Sequence, residues 1–127
     1  MNCPCGSKEK YKKCCQGFHK NKKKAKNALI LMKSRYCAYA MKEVKYIKKT
    51  THKNNPEWNN PNWENEIRLF CDSDFKKLEI IEFIDGDNEA FVEFKAYIDD
   101  YVIHEKSRFL KEANWLYESG IMIDNNS

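Results

Sequence analysis

Nowhere in the 127 residues does an apolar run reach the length of a membrane span. The best stretch, Ala28 to Met32, falls far short of the roughly 20 residues that a spanning helix needs. No apolar segment follows Met1-Asn2-Cys3-Pro4 either, so nothing there reads as a signal peptide, and the expected address is the cytoplasm. Acidic residues are nearly missing from the first 53 positions, where only Glu9 and Glu43 face 16 Lys and Arg, a balance of +14. The remaining 74 residues reverse this, with 7 basic side chains against 17 acidic ones and a balance of −10. The net charge of +4 therefore conceals a divided chain, and such a division predicts an acidic partner for the first half. The densest basic run, Lys20-Asn21-Lys22-Lys23-Lys24-Ala25-Lys26, lacks any interleaved aromatic on which a base would stack. It reads as a solvated linker, with non-specific contact to nucleic-acid phosphates as the alternative.

What the chain does have is cysteine, concentrated at one end. Cys3, Cys5, Cys14 and Cys15 fall within fifteen residues, as two close pairs separated by an eight-residue loop. Four thiolates so arranged can close on one divalent ion in the tetrahedron of structural zinc sites, and iron is the alternative ion. Gly6 permits the tight turn that a Cys-x-Cys knuckle requires, and the amides of Gly6 and Ser7 are candidates to point at the sulfurs. Lys8, Lys10, Lys12 and Lys13 lie in the loop and can offset the negative charge of a four-thiolate centre. The competing chemistry is a disulfide. Within either close pair it would be strained, and pairing across the two groups requires an oxidising compartment. Cys37 and Cys71 stand apart and read as free thiols, half-buried as small apolar side chains.

Cys3-Pro4-Cys5-Gly6-Ser7-Lys8 followed by Lys10-Tyr11-Lys12-Lys13-Cys14-Cys15 resembles the SEC-C motif, the metal-binding tail known from the preprotein translocase ATPase SecA. In that motif the fourth ligand is His or Cys, and here it is Cys15. The resemblance implies a small metal knuckle, residues 1–19, that docks a partner such as an export chaperone of the SecB kind or the ribosome. Under it the four loop lysines would supply the docking surface.

Past the linker, residues 20–27, one domain is expected over residues 28–127. Leu29, Met32, Tyr36 and Tyr39 recur at helical spacing and predict a helix from about Lys26 to Met41. Val44 and Ile47 mark a second, over Glu43 to Thr50. Thr51 to Asn62 reads as loop. Asn60 and Pro61 read as cap and first turn of a third helix, with Trp63, Ile67 and Phe70 as its buried stripe. The period then changes. Leu78 to Ile84 reads as a strand ending in the turn Asp85-Gly86-Asp87-Asn88. Glu89 to Ile98 alternates, placing Val92, Phe94, Ala96 and Ile98 on one side. Strands over Tyr101 to Lys111 and Trp115 to Glu118 complete an antiparallel meander. Helices first and strands after predict an α+β domain with helices laid across one face of a curved sheet. Trp63 and Trp115 read as core, and Trp58, in the polar loop, as the aromatic for partner contact.

Leu31-Met32-Lys33-Ser34-Arg35-Tyr36-Cys37-Ala38-Tyr39, Thr50-Thr51-His52, Leu78-Glu79-Ile80, Val92-Glu93-Phe94 and His104-Glu105-Lys106-Ser107-Arg108-Phe109, followed by Trp115 and Gly120, resemble the YchJ family (UPF0225 type) of small bacterial proteins. The resemblance covers nearly the whole chain and implies a cone like that of nuclear transport factor 2. Where relatives carry another His, this chain has Val102-Ile103. Related cones host isomerases and dehydratases, so a small-molecule lyase or isomerase is the rival to an adaptor role. Its pocket candidates are Arg35, Tyr36, His52, Glu93, His104 and Glu105. The structural alternative pairs Arg35 with Glu105 or Glu93 and leaves His104 and Tyr36 satisfied by hydrogen bonds.

Overall fold

Asn27 opens the central helix by accepting a hydrogen bond from the Ile30 amide through its side chain, at 2.8 Å. In this computed structural model, which describes residues 1–123, that helix, α2 (Ala28–Ala40), is preceded by the short α1 (Gln16–His19). It is followed by α3 (Val44–Lys49) and α4 (Trp63–Cys71). The stretch expected to be loop contains a 3-10 turn, Pro56–Asn59, because Asn55 caps it by accepting from the Glu57 amide and Pro56 presets its first φ. The cap of α4 falls at Asn62, two residues later than the sequence suggested, with the Asn60 carbonyl oxygen of its side chain accepting from the Asn62 amide.

Four antiparallel strands follow in sequence order: β1 (Phe75–Ile84), β2 (Glu89–Ile98), β3 (Tyr101–Lys111) and β4 (Trp115–Met122). The two central strands have the expected bounds. β1 starts three residues earlier than expected and β4 runs four residues further, both recruited by pairing to a neighbour rather than by their own pattern. The β2–β3 turn puts Asp99 at φ 52, and its carboxylate accepts from the Asp74 amide at 2.7 Å. Register shifts in β1 and again between Arg108 and Phe109 bend the sheet. On its concave side the buried alternation of β2, Val92, Phe94, Ala96 and Ile98, meets Leu31, Met32 and Tyr36 of α2, with Phe109 and Trp115 closing the core.

The α2 face does not behave as a single stripe. Ala28, Leu31, Met32, Ser34, Arg35, Tyr36, Cys37 and Ala38 are all buried, because the helix has the sheet on one side, α3 on another and the cysteine knuckle on a third. A second cluster joins Ala38, Val44, Tyr46, Ile47, Trp63, Ile67 and Cys71. Trp63 and Trp115 are core, as expected; Trp58 is 40% exposed and packs edge-on against Trp63 at 4.9 Å.

Candidate functional site

The first eleven residues form a miniature hairpin. Cys3 donates its amide to the Glu9 carbonyl at 2.8 Å, and Asn2 bridges Lys10. The turn between needs left-handed backbone at two positions, Gly6 (φ 87) and Lys8 (φ 69), and Gly6 provides the first without steric cost. A 3-10 turn, Tyr11–Lys13, then delivers Cys14 and Cys15 back to the hairpin. The sulfurs of Cys3, Cys5, Cys14 and Cys15 all lie within 4.8 Å of one another. Cys5 and Cys14 are 3.5 Å apart. Four sulfurs each about 2.3 Å from a common ion stand about 3.8 Å apart, so this donor set fits a tetrahedral thiophilic cation. Cys3, Cys5 and Cys15 are buried and Cys14 is half-exposed, with the Ser7 hydroxyl 3.1 Å from its sulfur. The Ser7 amide approaches the Cys5 sulfur, whereas the Gly6 amide goes to the Cys3 carbonyl at 3.1 Å.

These contacts divide the thiols. A hydrogen bond from the Cys15 thiol, aided by Ser7 and Cys14, holds Cys5 down at about 4 against the opposing effect of burial. Burial pushes Cys3 up to about 12, and Cys15 is driven upward by its hydrogen bonds to Cys37 and Cys5 and by burial. Cys5, Cys14 and Cys15 are thus joined by hydrogen bonds through their own thiol protons. A bound cation would take the place of those protons.

Cys37 is the member that sequence reasoning missed. It is fully buried rather than half-buried, and its sulfur lies 3.6 Å from that of Cys3, across 34 residues of chain. Its signal was faint: Ser34, Cys37 and Met41 fall at helical spacing on a face of small and flexible residues beside the expected stripe. Cys71 is buried too, but in the second cluster. His19 completes the seam, with one ring nitrogen 2.8 Å from the Tyr11 hydroxyl and the other 2.8 Å from the Ser34 carbonyl. Lys8, Lys10, Lys12 and Lys13 are all exposed around the knuckle.

The pocket candidates separate into three places. Arg35, Tyr36 and Glu105 line a cavity of about 160 Å³ between α2 and the concave face of the sheet. Glu93 and His104 pair at 2.7 Å on the opposite face, because Glu93 falls between the buried Val92 and Phe94 of β2, and His104, itself buried, falls between the cavity-lining Ile103 and Glu105 of β3. His52 lies after α3, where its Nε2 meets Glu112 at 3.3 Å and its amide donates to Tyr117. Two further expectations are corrected. Arg35 forms no ion pair among the described residues; one nitrogen is held by the Ile47 carbonyl and the hydroxyls of Thr50 and Thr51, and the guanidinium lies 4.8 Å over the Tyr117 ring. Tyr36, expected to be satisfied, has a buried hydroxyl with no partner at hydrogen-bonding distance and angle among the described residues, although the Lys77 amide approaches it. Among the described residues no helix is long and apolar enough to cross a membrane.

The family model for the YchJ middle NTF2-like domain matches residues 27–120, and that for the SEC-C motif matches residues 2–17. A UPF0225 protein of Vibrio parahaemolyticus is 38% identical over 99% of this chain and 78% of its own length. One from Streptomyces coelicolor is 34% identical over 96% of both chains. The solution structure of a SEC-C motif containing protein from Rhodopseudomonas palustris superposes with a TM-score of 0.85 at 30% identity, covering 98% of this chain and all of the other. A crystal structure of a SEC-C motif containing protein from Psychrobacter arcticus shares the fold, with a TM-score of 0.80 at 24% identity over all of this chain and 85% of that one. A curved four-stranded meander under three helices, carrying a four-cysteine hairpin at its amino end, therefore identifies the chain as a member of the YchJ (UPF0225) family with an NTF2-like cone and a SEC-C motif.

Proposed function

We propose that the protein is a metal-carrying interaction protein of the cytoplasm, in which a zinc-loaded SEC-C knuckle docks a macromolecular partner, an export chaperone of the SecB kind or the ribosome. The observation that carries this reading is the convergence of the Cys3, Cys5, Cys14 and Cys15 sulfurs to within 4.8 Å. All four positions of a tetrahedral ion would be filled by protein, leaving none for a water nucleophile, so the ion acts as a structural element. A hairpin of this size has almost no apolar core, and metal binding at ~10 kcal/mol or more is the energy that fixes its shape. Thiolate ligands favour zinc and also suit iron. The exposed Lys8, Lys10, Lys12 and Lys13 then present a basic surface of defined form to an acidic partner.

Elemental analysis of protein purified without added metal, with capture of SecB and of ribosomes, tests both halves. The wild type should carry one equivalent of zinc and retain a partner at low salt. The Cys14→Ser, Cys15→Ser variant should lose both, and capture undiminished by loss of the metal would refute docking through the knuckle.

A further inference from the structure

Burying an arginine without an anion is unfavourable unless something else compensates it. Arg35 is only 7% exposed, yet every hydrogen-bond acceptor it has among the described residues is neutral: the Ile47 carbonyl at 2.9 Å, the Thr50 hydroxyl at 2.7 Å and the Thr51 hydroxyl at 3.1 Å, all on Nη1. Nε and Nη2 have no partner among the described residues, and no carboxylate lies within 4.0 Å of the guanidinium. The residue borders the cavity under the sheet and also a second cavity of about 280 Å³, beside Asn55, Glu57 and Trp63. The first is walled by Met32, Phe70, Phe94 and Phe109. The carboxylate at that cavity, Glu105, has its own donors: Ser107 at 2.5 Å and the Tyr117 hydroxyl at 3.3 Å, both to Oε2. Apart from the face of the Tyr117 ring, 4.8 Å away, Arg35 therefore has no partner that answers its charge, and no anion among the described residues.

We infer that the cone cavity is a binding site for a small organic carboxylate, whose acid group pairs with Arg35 and whose apolar body, of about one ring, fills the aromatic pocket beneath α2. The size follows from volume, since a cavity of about 150 Å³ accommodates one benzene ring. The charge follows from the free donors, because a planar guanidinium matches a carboxylate with two parallel hydrogen bonds. Glu105 sets a limit on affinity by repulsion within a site of low dielectric. The site is independent of the metal knuckle.

Sodium benzoate and its neutral isostere benzamide, titrated into the intact metal-loaded protein, give the test. The Met32 methyl and the Arg35 Nε–H resonances report binding by NMR. Benzoate should shift both and bind at least ~10-fold more tightly than benzamide, the margin of one charge-assisted contact. Glu105→Gln should tighten benzoate by ~5-fold or more and leave benzamide alone. Arg35→Met should erase the preference. Should that variant fail to fold, the wild-type comparison decides by itself. Equal binding of the two probes, or no shift with either, would overturn the proposal.

Discussion

Cys37 shows how one side chain changes meaning with its surroundings. Alone on a helix it is a small apolar residue; 3.6 Å from Cys3 it is a fifth sulfur at a four-sulfur site. The hairpin thiols have the turn geometry that turns them toward a common point, whereas Cys37 approaches from outside that ring and is absent from the four that converge. It acts as a packing neighbour that fixes the Cys3 sulfur. Cys37→Ser should accordingly retain one equivalent of metal by elemental analysis while losing about 1 kcal/mol of stability to the buried hydroxyl. Cys3→Ser should lower the metal content outright. A metal-free Cys37→Ser protein would instead make Cys37 a ligand. Gly120 is fixed by a different constraint: a Cβ there would come within 2.2 Å of a Glu105 carboxylate oxygen, so β4 has a hydrogen atom where the cavity needs room for an acid.

At the level of elements, the seam between the knuckle and α2 rests on His19 of α1. Its Nε2 donates to the Ser34 carbonyl, which leaves Nδ1 to accept from the Tyr11 hydroxyl and fixes the neutral tautomer. Burial against Tyr46 holds the imidazole below its ordinary value of 6.5, and its hydrogen bond to the Ser34 carbonyl, with neighbouring Glu43 and Cys5, opposes this only in part. The folded protein then binds fewer protons at this site than the unfolded chain. Its contribution to stability is complete above pH 6.5 and is lost as pH falls from there through the folded value. Urea denaturation of wild type and His19→Gln between about pH 7.5 and pH 5 should show the advantage of the wild type shrinking with acid. Elemental analysis at each pH, showing equal metal content in both proteins, makes the difference between them that of the histidine. A constant difference would mean that the ring is merely packed.

For the whole molecule, the sulfur cluster and the cone core are distinct sets of residues joined through α2. Leu31, Met32, Val92, Phe109 and Trp115 belong to the cone; Cys3, Cys5, Cys15 and Cys37 belong to the knuckle. Chelation of the metal should therefore collapse the chemical-shift dispersion of residues 1–19 while the β2 and β3 amides stay protected from exchange. Simultaneous loss of both would mean that the knuckle is an integral part of the cone's stability. The same division explains what could be read early. Spacing alone identified the four cysteines, because a turn of two left-handed residues acts over a few positions. The Asp85–Asn88 turn and the alternation of Val92, Phe94, Ala96 and Ile98 were equally legible, since strand period and turn chemistry are local.

The order of elements, the side of β2 that is buried and the existence of a four-sulfur knuckle were thus determined by the sequence by itself. Only the tertiary structure decided that Cys37 reaches Cys3, that His104 turns to Glu93 on the outer face, and that Arg35 finds hydroxyls and a ring in place of a carboxylate. Periodicity states which residues share a face. What lies across that face is set by segments many residues away, whose approach depends on the closing of the whole core.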